Sequence, residues 1–209
     1  MRLARLFAVS VALLGAASGA RPDAGGRLAP GVFLYAAPGL HAGVFSESVV
    51  LLVQHGDEGS LGLIVNRPTR VPVREALTEL GELRELDLAL YFGGPVEPEA
   101  ILALVRSVRP VEDGLRVLPD VYFSADLGPV REAARGPEAE SRLRVYAGYA
   151  GWGRGQLAGE MREGAWVIGP ASARAVFTAE PSALWPRVHG LLNRIVARGP
   201  AVVRGAGAP

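Results

Sequence analysis

His55, Asp57 and Glu58 stand together in "QHGDEG", an imidazole beside two carboxylates, which are the residue types that ligate zinc and other divalent ions. Three ligands this close within one chain reversal converge poorly on a tetrahedral ion, and His41 and His189 stand at no partner spacing. The stretch therefore reads as a polar turn with His55 hydrogen-bonded at a strand end, and no metal site is assigned. Ser46 and Ser48 lie ahead of His55 in a serine-hydrolase-like combination. No G-x-S-x-G elbow presents a strained nucleophile, so these serines read as hydrogen-bonded fillers and no catalytic residue is assigned.

Asn66-Arg67-Pro68 ends a strand with an amide, a guanidinium fork and a chain-stiffening proline. Arg67 has the geometry to clamp a carboxylate or phosphate bidentately. The competing and stronger reading is a structural bridge from Arg67 to Glu160 or another acid. Gly93-Gly94-Pro95 permits close backbone approach after a strand. In "GYAGWGRGQLAGEM", Gly151, Gly153 and Gly155 resemble a dinucleotide loop, but Gln156 occupies the position of the third required glycine, and the following "AWVIGP" ends in no acid for a ribose. We expect no cofactor. The stretch reads as a sharp turn with Trp152 tucked against the core, running into a helix near Gln156 whose first amides could hold an anion. Asn66, Arg67, Gly93, Gly94 and Gln156 fall at strand ends and are the candidate lining of a shared cleft.

The elements that must position these residues are legible in part. "SVVLLVQH" and "SLGLIVN" form a hairpin around "GDEG", apolar on both faces, so both sides of its sheet must be covered. Val73, Ala76, Leu77 and Leu80 follow a helical period behind a proline. Further strands are expected at 88–94, 100–107, 121–124, 142–150 and 165–169, and helices at 126–135, 155–163, 171–177 and 182–197. Strands outnumber helices without strict alternation, which indicates a single α+β domain.

Composition narrows the function classes. All 22 basic residues are Arg, and with no Lys a Schiff base, a PLP-linking amine and a Walker lysine are excluded. No Cys is present, which removes disulfides, thiol catalysis and iron–sulfur clusters. Residues 1–20 combine Arg2 and Arg5, an apolar stretch from Leu6 to Ala17 and the small residues Ser18-Gly19-Ala20, the pattern of a cleavable signal peptide. The alternative is an overcalled start codon carrying translated upstream sequence. Removing that segment turns a net charge of +1 into −1 with the charges interspersed, which argues against a nucleic-acid partner. A linker is expected at 21–27, the folded domain at 28–198 and a loose tail at 199–209, with no membrane span in the mature chain.

"PGVFLYAAPGL", "FSESVVLLVQH" with "DEGSLGLIVNRP", "YFGGPV" and "GYAGWGRGQL" with "GAW" occur in the order found in the YqgE/AlgH family, which residues 28–186 resemble. The resemblance implies a forked mixed sheet curled into a pseudo-barrel with flanking helices. It brings no defined reaction. The functional expectation is a non-enzymatic binding or regulatory module acting on a protein or small ligand. The alternatives are an enzyme or binder of a small anionic molecule at a cleft near Arg67, and a transcriptional regulator, the label some members carry. The signal peptide implies an exported or periplasmic protein; the family resemblance implies a cytoplasmic one.

Overall fold

The computed structural model describes residues 27–38, 40, 43–136 and 138–190. The expected signal peptide, nearly all of the linker and the tail lie outside the described residues, as does the end of the helix expected at 182–197.

The described residues form ten strands interspersed with short helices in the order β1 (Val32–Ala36), β2 (Val49–Gly56), β3 (Gly59–Ile64), β4 (Pro68–Pro72), α1 (Val73–Ala76), β5 (Ala89–Phe92), β6 (Val96–Arg106), β7 (Leu115–Leu118), β8 (Val121–Ser124), α2 (Leu127–Arg135), α3 (Ala139–Arg142), β9 (Leu143–Trp152), α4 (Gln156–Arg162), β10 (Trp166–Pro170) and α5 (Ala173–Val176). A helix at 184–190 follows. The strands form one mixed sheet in the order β10-β1-β2-β3-β9-β6-β8-β7, with β4 and β5 branching from β9. The end strands β10 and β7 do not pair with each other, so the sheet curls without closing.

The fork lies on β9. Its partner β6 runs antiparallel along Leu143–Tyr149. On the opposite edge β9 is shared: β5 pairs in parallel at Val145–Ala147, and β3 pairs antiparallel at Ala150–Trp152. The joint is stitched by Gly93, whose N–H donates to the Ala147 carbonyl and whose carbonyl accepts from the Ile64 N–H, both at 2.9 Å.

Residue alternation places three cores. Along β2, Val49, Leu51 and Val53 face the interior of the curl, while Val50 and Leu52 face outward. The interior core is completed by Phe33, Leu63, Tyr146 and residues of α5. One outer core sits under α4, around Leu34, Ile64, Trp152, Leu157 and Trp166. The other sits under α1 and α2, around Val73, Leu83, Val130, Leu143 and Val145. Covering both faces of the β2–β3 hairpin satisfies the requirement set by its two-sided apolar pattern.

β9 changes phase at Gly148, which takes the left-handed conformation at φ 68°. Before it, Leu143 and Val145 face an outer core and Tyr146 faces the interior. After it, Tyr149 packs against the interior core while Ala150 and Trp152 face the other outer core. Tyr146 and Trp152, an even number of residues apart, thus lie on opposite faces of the sheet.

The helix expected from Val73 to Leu80 is cut short. Only Val73–Ala76 is α-helical, Leu77 leaves the helical region at φ −124° and ψ 60°, and a 3-10 turn follows at Gly81–Leu83. Val73, Leu77, Leu80 and Leu83 are nonetheless all buried. Packing each leucine under α2 outweighs propagation of a helix too short to repay its nucleation. Strands β1, β4 and β7 and the short α3 add to the elements expected from the sequence.

Candidate functional site

Asn66 and Arg67 follow β3 and turn their side chains onto one surface turn, residues 43–48. Asn66 is 6% exposed. Its Oδ1 accepts from the Val49 N–H at 2.8 Å, and its Nδ2 donates to the Glu47 carbonyl at 2.9 Å. Glu47 is held in the left-handed region at φ 56°, a conformation that a non-glycine residue keeps when its surroundings fix it. Arg67 donates through its two terminal nitrogens to the carbonyls of Val44 and Ser46. Ser48 closes the turn by donating its Oγ to the Phe45 carbonyl at 2.7 Å. Partial burial draws the Arg67 pKa below its usual range, and the charge of Glu47 opposes that shift.

Between its two anchored neighbours, Phe45 points into an aromatic cluster. Its ring stacks 6.1 Å from Trp152 and meets Trp166 edge-on at 5.6 Å, while the two indoles meet edge-on at 5.9 Å. Glu160 on α4 ties them together, its Oε2 accepting from Trp152 Nε1 at 2.9 Å and from Trp166 Nε1 at 2.8 Å. Its Oε1 accepts from Gln156 Nε2 at 2.9 Å, and Gln156 Oε1 accepts in turn from the Gly153 N–H at 3.1 Å. Gly155, at φ 72°, starts α4. Trp152 is 5% exposed and packed in the outer core under α4.

The bridge expected between Arg67 and Glu160 is not formed. Glu160 is occupied by the two indoles and Gln156, and Arg67 holds main-chain carbonyls instead. The two are linked at one remove, through Phe45. Gly93 and Gly94 connect to Arg67 through the adjacent strand, where the Phe92 N–H donates to the Arg67 carbonyl at 2.9 Å. Their lack of side chains serves the fork: a Cβ on Gly94 would lie 2.2 Å from the Tyr149 carbonyl carbon. His55 pairs with Ser60 across the hairpin, Nδ1 to Oγ at 2.8 Å.

Sequence reasoning missed Phe45, Glu160 and Trp166 as a unit. The available signal was Gln156 and Glu160 four apart on a helix flanked by two tryptophans, a spacing that places both polar groups on one helical face.

A cleft of about 410 Å³ adjoins the turn, lined by Leu40, Ser46, Glu47, Trp185, Pro186 and His189. Trp185 donates from Nε1 to the Ala36 carbonyl at 2.8 Å and lies 4.6 Å from the His189 ring.

The AlgH-like family model matches residues 33–196, spanning the sheet, the clamped turn and the aromatic cluster. The chain belongs to the AlgH-like family. Its relatives include a UPF0301 protein of Chlamydia muridarum, 35% identical over 162 residues, covering 77% of this chain and 85% of the relative. UPF0301 protein CT0663 of Chlorobaculum tepidum is 34% identical over 161 residues, covering 77% and 84%. Among solved structures, the AlgH protein of Pseudomonas aeruginosa matches with a TM-score of 0.63 at 27% identity, over 85% of this chain and 94% of that one. Protein DIP2367 of Corynebacterium diphtheriae matches with a TM-score of 0.63 at 26% identity, over 73% and 81%. The AlgH-like fold therefore extends across the forked sheet and its helices.

Proposed function

We propose that this AlgH-like protein is a non-enzymatic binding and regulatory module whose recognition surface is the turn at residues 43–48 with the cleft beside it. One observation carries the reading: Asn66 and Arg67 commit their side chains to the main chain of that turn, from Val44 to Val49. A turn fixed from beneath presents its outer residues in one conformation, which lowers the ordering cost of binding. Val44, 36% exposed, and the Glu47 carboxylate are the groups it offers to solvent. The adjoining cleft supplies apolar walls in Leu40, Pro186 and Trp185. An apolar side chain flanked by a base is the complementary feature on a protein partner.

The test is affinity capture in the native host with the wild type and with the double substitution Val44→Asp, Glu47→Arg. Both side chains are exposed, and because Glu47→Arg places a second cation beside Arg67, circular dichroism and thermal melting must match the wild type before the capture is compared. Proteins enriched by the wild type and lost with the variant support the reading. Equal recovery by both, or no enrichment over a bead control, removes it.

A further inference from the structure

The interior of the curl contains a buried charge. Arg144 on β9 is 8% exposed, and its guanidinium carbon lies 5.7 Å from the centre of the Tyr91 ring and 5.5 Å from that of Phe177. Its terminal nitrogens donate to four main-chain carbonyls: Glu140 at 2.6 Å, Leu143 at 3.0 Å, Phe177 at 3.2 Å and Thr178 at 3.2 Å. No carboxylate among the described residues forms an ion pair with it. Carbonyl dipoles and ring faces offset part of the cost of burying a cation, and an opposite charge is the usual remainder.

Two buried polar side-chain atoms on this stretch of β9 have no hydrogen-bond partner among the described residues. They are the Nε of Arg144 and the hydroxyl of Tyr146, and Tyr146 is fully buried. The two residues are two apart on β9 and share its interior face. Tyr91 bridges them, its ring 5.4 Å from that of Tyr146. A buried donor left unmatched is costly, and native proteins rarely leave one so. Burial and then the neighbouring Tyr91 raise the Tyr146 pKa far above the ordinary phenol value, and the positive charge of Arg144 opposes that shift, so the hydroxyl stays neutral and able to donate.

We propose that the Nε–H of Arg144 and the hydroxyl of Tyr146 form an internal binding site for a halide-sized monovalent anion. Such a ligand accepts both hydrogen bonds and supplies the missing opposite charge. A neutral water accepts the bonds but leaves the charge uncompensated. Full burial of the phenol disfavours an extended metabolite reaching in from solvent.

Thermal unfolding of the wild type and of Tyr146→Phe, in sodium chloride and in sodium gluconate at equal ionic strength, tests the site. The wild type should be stabilised by chloride beyond gluconate, with Tm rising by about 3–5 °C per tenfold chloride above the dissociation constant. Tyr146→Phe should lose most of that difference. In wild-type crystals soaked in bromide, an anomalous peak should stand within hydrogen-bond distance of both Arg144 Nε and Tyr146 Oη. Identical melting in the two salts, an undiminished chloride response in Tyr146→Phe, or a water without anomalous signal at that position would each overturn the proposal.

Discussion

Gly93 and Gly148 cross so closely that a Cβ built on Gly93 would lie 2.1 Å from the Gly148 carbonyl oxygen. The contact is backbone against backbone, so no rotamer change relieves it. Gly93→Ala is therefore expected to cost about 3 kcal/mol or more, at the upper end of overpacking effects. Gly155→Ala is the comparison, since Gly155 is left-handed at φ 72° with open space around it, whereas Gly93 is crowded without being left-handed. Conformational strain alone should cost that variant about 1–2 kcal/mol. Urea unfolding midpoints separate the two, and comparable losses would remove the steric account of the fork.

Glu160→Gln keeps the shape of the aromatic site but takes away the negative charge that accepts from both indoles. It also offers an N–H group where one of three donors must be met. The expected loss is about 1–3 kcal/mol, with tryptophan emission shifted to the red as the indoles loosen. Unchanged emission together with unchanged stability would show that the cluster is held by ring packing alone.

The clamp on the turn divides into a buried and a half-exposed part. Asn66→Ala strands the Val49 N–H and the Glu47 carbonyl and should destabilise the whole domain by about 1–3 kcal/mol. Arg67→Ala should leave global stability nearly intact while amide exchange at residues 44–48 accelerates. Hydrogen exchange resolved by residue distinguishes them; protection of 44–48 surviving in Arg67→Ala would refute the assigned role.

Burial raises the phenol pKa values of Tyr35, Tyr91 and Tyr146 in the folded state. A raised folded pKa means that stability is complete below the unfolded phenol value, about 10, and declines as pH rises above it. Each such group steepens the decline by at most about 1.4 kcal/mol per pH unit. Stability measured from pH 9 to 11.5 should fall less steeply in Tyr146→Phe than in the wild type. Parallel curves for the two proteins would contradict the buried environment assigned to this tyrosine.

Local patterns in the sequence reached much of this fold. The hairpin of β2 and β3 was legible because Val49–Val53 is apolar at every position, and only a strand covered on both sides accommodates that. α2 and α4 emerged close to their expected limits because each carries its own periodic apolar positions and turn residues. The stretch after Pro72 misled because its helical period is real but serves burial in a chain that bends twice. β4, with Pro at both ends and two exposed faces, has no strand pattern to read, since its pairing is decided by β5. At the site, Trp152 was legible as a buried anchor among glycines. The attachment of Arg67 to the carbonyls of Val44 and Ser46 was not, because a guanidinium advertises charge and nothing local marks main-chain oxygens 23 and 21 positions away as its targets.

The change of phase at Gly148 makes β9 behave as two reading frames joined by a single residue. A one-residue deletion between Tyr149 and Trp152 would exchange inside for outside over everything downstream in the strand, withdrawing the indole from Glu160 and leaving α4 without its anchor. Equal-length exchange of the outward-facing residues within either half disturbs one outer core and spares the other. Altered chemistry on the outer face thus stays local to its side of the joint, whereas altered spacing across it does not.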